Sequence, residues 1–362
     1  MSLADRARLT IDLDALAHNR AVVAAEAAGA EVAAVVKADA YGLGAGPIGR
    51  RLWAEGTRSF FVARTAEGEA LRAALGERKA TIYVLDGLLP GAAERLAAAR
   101  LTPVLSTLPQ AMAALALAAA NGRYEAALQV DTGMNRQGLT LDAAQALLAA
   151  PGALRTLHVP LIVSHLGSAT DPAEPRNAEQ LARFRDVRAL LPEARASFAA
   201  SAGAFLGPDF RYDQVRAGVS LFGGGPFERP DPRLKAVATL EAPILDIRNL
   251  RPGDRVGYGQ SFTAPAPMRV AVVAAGYADG VIRAAMGRGH AWAGGGLRRL
   301  LAVTMDLTVI DLGEAAASVG DMVEMVGPNA LLDDLAAAAG TVAHEVLVRL
   351  SPRAERIYLR GA

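Results

Sequence analysis

Short apolar runs alternate with longer alanine-rich segments of helical period from residue 31 to about residue 225. The runs are rich in β-branched and aromatic residues, which is typical of strands, and the segments between them can cover a sheet face. Eight such runs occur here: AAVVK, FFVAR, IYVLD, LTPVLS, AALQVD, VPLIVSH, ASFAAS and QVRAGVSLFG. Repeated strand-helix units favour a parallel sheet, and eight of them fit a closed (β/α)8 barrel better than an open sheet.

The hydrophobic pattern changes after the Pro- and Gly-rich stretch GGGPFERPDPRL. The apolar runs that follow are ATLEAPILDIRNL, MRVAVVAAGYADG, RRLLAVTMDLTVIDL and DMVEMVG, with turns between them but few helices. In the third run polar and apolar residues roughly alternate after Leu300, as in an antiparallel sheet with one face in water. We therefore predict an α/β fold, with a (β/α)8 barrel over residues 1–232 and a mostly β C-terminal domain over residues 233–362.

Composition excludes several classes of protein. The 362 residues carry 38 basic and 37 acidic side chains, so no strong field favours nucleic acid or an anionic membrane. There is no cysteine, which excludes disulfides, thiolate catalysis and sulfur-ligated metals, and no metal site is predicted. The N-terminal segment lacks the apolar core of a secretory signal, and no strongly apolar run reaches about 18 residues. We expect a soluble cytoplasmic protein that acts on a small molecule.

The first predicted barrel strand ends on Lys37, within the segment EVAAVVKADAYGLGAG. In (β/α)8 barrels the reactive groups lie at the carboxyl ends of the strands. Desolvation beside the apolar interior would lower the pKa of this lysine and free its amine to form a Schiff base with a carbonyl. The alternative is that Lys37 extends from the strand end into solvent, and this segment alone does not decide between the two.

Polar and small residues follow the later strands as well. DTGMNR follows the fifth strand, SHLGSA the sixth and ASAG the seventh, while RAGVSLFGGG lies on the eighth. Small residues at Ser201, Gly203 and Gly218 let backbone amides approach an anion such as phosphate, and a phosphate site near the last strands recurs in such barrels. Taken alone, each segment is also typical of an ordinary turn.

In this order the segments resemble the pyridoxal-phosphate-dependent alanine racemases. AVVKADAYGLGA is similar to the cofactor-lysine motif of that family, DTGMNR to its substrate-arginine motif and VSHLGSA to the motif of its barrel histidine. VRAGVSLFG resembles the segment with the arginine at the pyridine ring, and VGYGQSF the segment with the catalytic tyrosine. GYADG, TMD and the early IDLDALAHN complete a match over nearly the whole chain. Several short motifs in the right order are more specific than one.

The resemblance implies an isomerase that interconverts L-alanine and D-alanine and supplies D-alanine for peptidoglycan. Lys37 would hold pyridoxal phosphate as an aldimine and then act as one of two bases, on the D-isomer. Tyr258 would act on the L-isomer, because racemisation needs a proton to leave one face of Cα and return on the other. A tyrosine has a reference pKa of about 10, so His165 is expected to assist it. Arg216 would couple to His165 and point at the pyridine nitrogen.

An arginine at the pyridine nitrogen has a consequence for the reaction. Where other pyridoxal enzymes place a carboxylate, an arginine cannot accept the proton and leaves the ring a weaker electron sink. We therefore predict racemisation with little transamination.

Further site residues follow from the same resemblance. Arg136 and the backbone N–H of Met305 would bind the substrate carboxylate, and Tyr277 would narrow the substrate entrance. Tyr258, Tyr277 and Met305 lie in the second domain, and family precedent places them in the barrel of a partner chain, which implies a head-to-tail homodimer with composite sites. The implied cofactor-binding residues are Lys37, Tyr41, His165, Ser201, Arg216, Gly218 and Val219.

Each of these residues also has a plainer interpretation when it is taken alone. Tyr258 and Tyr277 would then be half-buried strand tyrosines, and His165 a hydrogen-bonded core histidine. Arg136 would only pair with Asp131.

The chain departs from the family pattern at three places. Gln129 stands where the family often has a carbamylated lysine, so either an anion such as chloride or hydrogen bonds from Asn135 and Gln129 would orient the substrate arginine. Ala200 replaces the asparagine that is common before the phosphate serine. The late tyrosine that contacts phosphate in some members has no clear counterpart, since Pro352 lies near its register and Tyr358 comes too late.

Two other functions share a barrel with a lysine on its first strand. A barrel-type pyridoxal-phosphate amino-acid decarboxylase typically uses an active-site cysteine, and this chain has none. A non-catalytic pyridoxal-phosphate carrier is close to a lone barrel, which leaves about 130 further residues, with Tyr258 and Met305, unexplained. The sequence leaves open whether serine or other small amino acids enter past Tyr277, and whether the role is biosynthetic or catabolic.

Overall fold

The computed structural model describes residues 7–149, 156–260, 262–350 and 353–359, and it divides into two compact units. The barrel unit consists of Arg20–Ala40 and the described residues of Gly44–Leu221. The β unit consists of the described residues before Arg20, the segment Tyr41–Leu43 and the described residues from Phe222 onward. The domain boundary at residue 232 stays a prediction.

Eight parallel strands form the sheet of the barrel unit. Numbered along the chain, the first eleven strands are β1 Arg8–Asp12, β2 Glu31–Val35, β3 Ser59–Val62, β4 Thr81–Val84, β5 Thr102–Leu105, β6 Tyr124–Glu125, β7 Ala127–Gln129, β8 Leu157–His158, β9 Leu161–Val163, β10 Arg195–Ser197 and β11 Gln214–Ala217. The order in the sheet is β10-β9-β7-β5-β4-β3-β2-β11, and β6 pairs separately with β8.

The sheet closes between β10 and β11. Ala200 and Arg216 form a parallel bridge. The N–H of Arg216 donates to the carbonyl of Ala199 at 2.9 Å, and the N–H of Asp213 donates to that of Ala196 at 3.1 Å. Each of the eight predicted runs overlaps one of these strands, so the predicted (β/α)8 barrel is confirmed.

One barrel helix, Leu108–Asn121, has clear capping chemistry at both ends. It starts after Thr107, whose hydroxyl accepts the N–H of Gln110, and stops at Gly122 in the left-handed conformation. The helices are α1 Leu13–Glu26, α2 Ala45–Ala54, α3 Thr65–Leu75, α4 Ala93–Ala98, α5 Leu108–Asn121, α6 Leu141–Ala149, α7 Arg176–Leu190, α8 Ser201–Ala204, α9 Leu332–Ala339 and α10 Ala343–Arg349. In the described part of the chain, no helix is both long and apolar enough to cross a bilayer.

The interior of the barrel is a packed core rather than a pore. Six neighbouring strands each contribute one or two buried apolar side chains to it, and the rings of Phe61 and Tyr83 stack with centroids 4.7 Å apart. This core packs between the strands and so stabilises the positions of the strand ends. Its members are Ala33, Phe61, Tyr83, Val104, Ala127, Leu161 and Val163.

The β unit contains the second large sheet, of eight strands in the order β15-β18-β17-β16-β19-β12-β1-β20. The remaining strands are β12 Ala238–Leu250, β13 Arg255–Val256, β14 Phe262–Thr263, β15 Met268–Val273, β16 His290–Ala293, β17 Gly296–Val303, β18 Thr308–Asp311, β19 Met322–Val326 and β20 Glu355–Leu359. The predicted mostly β C-terminal domain is confirmed.

The N-terminal strand β1 belongs to this second sheet. It pairs antiparallel with β12, with Arg8 opposite Glu241, and parallel with β20, with Arg8 opposite Glu355. The run RRLLAVTMDLTVIDL forms two strands, β17 and β18, because the turn at residues 304–307 reverses the chain. That turn holds one of the predicted substrate residues.

Candidate active site

The carboxyl ends of the barrel strands carry seven of the predicted site residues. In a barrel of parallel strands these ends share one face, where substrates bind. The seven are Lys37 after β2, Arg136 after β7, His165 after β9, Ser201 at the start of α8, Arg216 in β11, and Gly218 and Val219 directly after β11.

Lys37 begins a short turn of left-handed backbone. The φ angles of Ala38, Asp39 and Ala40 are 53°, 54° and 54°. An L-residue with a side chain loses roughly 1–2 kcal/mol in this conformation, so neighbouring groups have to stabilise the turn. Glu67 accepts the N–H of Ala38 at 3.1 Å, and the Asp39 carboxylate accepts the N–H of Ala45 at 2.7 Å.

The surroundings of Lys37 favour its neutral amine. Desolvation at the barrel mouth lowers the pKa of Lys37 from its ordinary value of 10.5, and the charge of Arg136 lowers it further. Glu67 acts in the opposite direction, since a nearby carboxylate favours the ammonium. Lys37 remains accessible to solvent. An accessible amine with a lowered pKa suits a nucleophile or a base.

Arg216 is held by a dense set of acceptors and is only 5% exposed. Its Nη1 donates to the carbonyl and hydroxyl of Ser197 at 2.7 and 2.8 Å, and its Nη2 donates to the carbonyl of Ser164 at 2.6 Å. The same Nη2 lies 3.2 Å from Nδ1 of His165, which must accept because a guanidinium only donates. The proton of a neutral His165 is then on Nε2.

Burial lowers the pKa of Arg216, but its guanidinium still donates hydrogen bonds. Desolvation, with a contribution from Arg136, lowers the pKa of Arg216 to about 9, so the guanidinium stays charged at neutral pH. No described residue accepts a hydrogen bond from its Nε. The structure therefore leaves one donor of this fixed guanidinium for a ligand.

Ser201 organises the turn after β11. Its Oγ accepts the N–H of Gly218 at 2.9 Å and that of Ser220 at 3.4 Å, so the hydroxyl proton is left to donate. The hydroxyl of Ser220 is buried with no partner in the described part of the chain. Gly203 has a packing role instead, because a Cβ there would lie 2.9 Å from the Cβ of Ala199.

The loop with Arg136 is organised by Asp131. This carboxylate accepts the N–H groups of Gly133, Met134 and Asn135 at 2.8, 2.8 and 2.9 Å. Arg136 is exposed and makes no hydrogen bond within the described ranges. Asp131 thus shapes the loop rather than pairing with Arg136.

The amide of Gln129 supports the same loop at another point. The side-chain Nε2 donates to the backbone carbonyl of Gln137 at 2.8 Å, and the backbone carbonyl of Gln129 accepts the N–H of Leu139 at 2.9 Å. Gln129 therefore fixes the backbone next to Arg136 and not the guanidinium itself.

The β unit brings Tyr258, Tyr277 and Met305 to one open cavity of about 730 Å³. These side chains are 81%, 45% and 54% exposed. Arg283 and Asp306 also line the cavity and give it a polar wall. Tyr258 stands on a short 3-10 turn, and Tyr277 and Met305 lie on two neighbouring turns.

Two further tyrosines belong to the β unit. Tyr41 is buried, its ring lies 4.8 Å from that of Phe222 and 5.8 Å from that of His344, and burial raises its pKa. The hydroxyl of Tyr358 donates to the carbonyl of Leu43 at 2.9 Å and is engaged there. Pro352, which lies near the register of the family's late tyrosine, is outside the described residues.

Gln180 on α7 is a site residue that the motifs did not indicate. It is fully buried, its Oε1 accepts the N–H of Gly167 at 2.8 Å, and its Nε2 donates to the carbonyl of His165 at 3.0 Å and the hydroxyl of Thr132 at 3.3 Å. The available signal was a polar residue one helical turn before the buried Phe184. Gln180 thus fixes the backbone around His165.

Known proteins match both parts of the chain. Residues 11–226 match the family model described as alanine racemase, N-terminal domain, and residues 237–358 match alanine racemase, C-terminal domain. Alanine racemase of Methylobacterium sp. (strain 4-46) is 45% identical over 360 residues, which cover 98% of each chain. Alanine racemase of Methylobacterium nodulans is 43% identical over 362 residues, 98% of this chain and 97% of the relative.

A solved structure extends this similarity to the fold. The crystal structure of alanine racemase from Bartonella henselae with covalently bound pyridoxal phosphate matches with a TM-score of 0.91 and 36% identity, over 98% of this chain and 99% of that one. The resemblance predicted from the short motifs is confirmed. The barrel with Lys37 at the end of its first strand and the β-rich second part both match, and the chain belongs to the alanine racemase family of isomerases.

Proposed function

We propose that this protein interconverts L-alanine and D-alanine with pyridoxal phosphate held in the barrel, and that it supplies D-alanine for peptidoglycan. Two features of the barrel mouth carry the proposal. Lys37 at a strand end has an amine of lowered pKa, and Arg216 is hydrogen-bonded to His165 at the same end of the barrel. Family membership makes alanine the substrate to test first.

The residues at the barrel mouth fit this cofactor. Ser201 has a hydroxyl proton left to donate and Ser220 has an unpartnered buried hydroxyl, which suits a phosphate beside Gly218 and Val219. The remaining Nε donor of Arg216 suits a ring nitrogen, and the amine of Lys37 suits an aldehyde. When bound, pyridoxal phosphate supplies that aldehyde and a ring that withdraws electrons from Cα of the substrate.

Two residues of this chain then exchange the Cα proton. The neutral amine of Lys37 takes or returns it on the face of the D-isomer, and the phenol oxygen of Tyr258 does so on the face of the L-isomer. Support comes from the lowered pKa of Lys37 and from the exposed position of Tyr258 on a short turn. His165 assists Tyr258 as a hydrogen-bond donor through Nε2, because Arg216 keeps Nδ1 as an acceptor.

Other residues bind and orient the substrate. Arg136, which has no hydrogen bond within the described ranges, offers its guanidinium fork to the substrate carboxylate, and the N–H of Met305 donates to the same group. Tyr277 narrows the entrance for larger side chains. Tyr41 lies beside the phosphate in this proposal.

The second half of each site comes from a partner chain in this proposal. Tyr258, Tyr277 and Met305 are large, exposed and gathered in one cavity of the β unit, which is unusual for a surface without a partner. A head-to-tail homodimer would place this cavity over the barrel mouth of the partner, with residues 1–232 and 233–362 as the two functional domains.

Deuterated water gives the direct test of the proposal. L-alanine incubated with the holoenzyme should yield D-alanine labelled at Cα, whereas a decarboxylase yields carbon dioxide and an amine, and a carrier yields neither. Tyr258→Phe should lower racemisation by about 10²–10⁴-fold, the usual contribution of an acid-base group, and should still exchange the Cα proton of D-alanine. Tyr124→Phe, a half-buried barrel tyrosine outside the proposed site, is the control. Full racemase activity of Tyr258→Phe would contradict the two-base proposal.

A further inference from the structure

Two turns of the β unit contact each other closely, and they carry Tyr277 and Met305. The N–H of Tyr277 donates to the carbonyl of Thr304 at 3.0 Å, and the N–H of Ala278 donates to that of Met305 at 2.9 Å. At Gly276 a side chain would clash with both of these carbonyl oxygens. The backbone of one turn thus packs directly against the backbone of the other.

Arg353, distant in sequence from both turns, connects them by side-chain contacts. Its Nε donates to Oδ1 of Asp279 at 2.7 Å and its Nη2 to Oδ2 of the same carboxylate at 2.5 Å. Its Nη1 donates to Oδ1 of Asp306 at 2.6 Å. Asp279 follows Ala278 in the first turn, and Asp306 follows Met305 in the second.

The two carboxylates have different surroundings. The side chain of Asp279 is 4% exposed, and its Oδ2 also accepts the N–H of Gly276 at 2.9 Å. The side chain of Asp306 is 60% exposed and lines the cavity with Tyr277 and Met305. Arg353 therefore ties a buried anchor to the rim of the cavity. A bidentate arginine contact fixes direction as well as distance.

We propose that Arg353 is a positioning residue for substrate binding, which sets the Met305 N–H and the Tyr277 ring relative to each other through Asp306 and Asp279. The inference rests on the proposed function, in which Met305 binds the substrate carboxylate and Tyr277 limits side-chain size. Arg353 itself touches no substrate. Displacement of a donor by about 1 Å weakens such a contact strongly, so the effect of Arg353 falls on binding and on discrimination between substrates.

The test compares variants of the holoenzyme in substrate binding and turnover. Arg353→Gln and Asp306→Asn should raise the KM for L-alanine about tenfold and change kcat less than twofold, as expected for a lost charge-assisted contact that supports binding. Both should raise the Kd of propionate, a carboxylate probe that cannot react, by a similar factor. The ratio of kcat/KM for serine to that for alanine should rise. Arg353→Lys should recover part of each effect.

Controls separate positioning from folding. Arg349→Gln removes an exposed pair with Glu345 on α10 and should leave all values unchanged. Arg353→Gln removes the ion-pair partner of the buried Asp279 and can therefore prevent folding. In that case Asp306→Asn and the double variant Arg353→Gln with Asp279→Asn test the positioning role.

Hydrogen exchange at the amides of Tyr277 and Ala278 tests the contact itself, whatever the reaction. Faster exchange in Asp306→Asn with raised KM supports the positioning role, and unchanged exchange, KM and propionate Kd overturn it. If the wild-type enzyme neither racemises alanine nor binds propionate, the proposed function is overturned instead, and the hydrogen-exchange result does not change that conclusion.

Discussion

The barrel unit and the β unit hold their candidate site residues in opposite ways. In the barrel, Arg216 is buried, and its two terminal nitrogens donate hydrogen bonds to Ser197, Ser164 and His165. In the β unit, Tyr258, Tyr277 and Met305 extend into an open cavity. Arg216 and His165 are fixed by side-chain hydrogen bonds, whereas Tyr277 and Met305 are fixed by the backbone of the turns on which they stand.

This difference separates the two kinds of contribution that the proposed function assigns to these units. A buried, hydrogen-bonded cluster is organised before any ligand arrives, which favours chemistry that depends on exact charge placement. An exposed aromatic surface on firm turns favours contact with something outside the unit. Substitutions in the buried Arg216–His165 cluster should therefore affect the chemical step, and substitutions that disturb the turns of Tyr277 and Met305 should affect binding and stability. Tyr258 is the exception in the β unit, because its proposed role is chemical.

Lys37→Ala should have the largest effect. Under the proposed function it removes the amine that would attach the cofactor and act as the base for one face, so racemisation should fall at least about 10³-fold. Mass spectrometry after borohydride reduction should find the cofactor adduct in the wild type and not in the variant. Lys79→Ala, another lysine of the barrel unit, serves as the control. An adduct that persists in Lys37→Ala would refute the assignment of Lys37.

Arg216→Glu should change which reaction occurs. A carboxylate would keep the ring nitrogen protonated and strengthen the electron sink, so racemisation should fall about 10²-fold while pyridoxamine phosphate accumulates. Arg216→Gln removes the guanidinium without adding a proton acceptor and should lose activity without this product. Chromatography of the released cofactor measures both, and equal yields from the two variants would rule out the proposed role of Arg216.

Gly276→Ala tests the backbone support of the β unit. The new methyl group would clash with the carbonyls of Thr304 and Met305, which should cost about 1–3 kcal/mol of the free energy of unfolding. Gly46→Ala in α2 places the new methyl 3.5 Å from the Cβ of Ala74 and 3.6 Å from Nη1 of Arg50, which are ordinary contacts, and should leave stability within about 1 kcal/mol of the wild type. Urea denaturation compares them, and equal midpoints would contradict the close contact of the two turns.

Glu67→Gln should give the smallest effect, on pH dependence. The Glu67 carboxylate raises the pKa of Lys37 against the lowering effects of desolvation and Arg136. Without that charge the pKa of Lys37 falls further. Because the amine is free only after substrate has displaced it from the cofactor, the acid limb of kcat should move to lower pH. Glu69→Gln on the same helix, where Glu69 pairs with the exposed Arg95, should not move it. Movement to higher pH would contradict the electrostatic role of Glu67.

The sequence was sufficient to predict the barrel and the placement of its polar residues. Strands buried on both faces show as continuous apolar runs, and the polar residue that ends each run marks the barrel mouth. Lys37 and Ser201 follow from this pattern, whereas His165, within the strand-end segment SHLGSA, was predicted from the family resemblance. Their roles, and those of Tyr258 and Arg136, stay predictions for the experiments above.

Long-range contacts could not be predicted from local patterns. Nothing near Arg8 indicates that β1 pairs with both Glu241 on β12 and Glu355 on β20. The contact of Arg353 with Asp279 spans 74 residues and follows from the fold as a whole. The left-handed backbone at Ala38 and Ala40 has no sequence signal either, because such positions usually contain glycine.

That left-handed turn also limits how this enzyme can be engineered. A glycine at the exposed Ala38 would relieve the steric penalty and raise thermostability, so a directed-evolution screen for heat resistance should select it. At Ala40 a glycine would also remove a buried methyl group. The glycine at position 38 would let the backbone beside Lys37 sample many more conformations, and a screen for turnover should reject it. The two selections therefore favour different residues at position 38, and a thermostable variant with full activity has to gain its stability elsewhere in the chain.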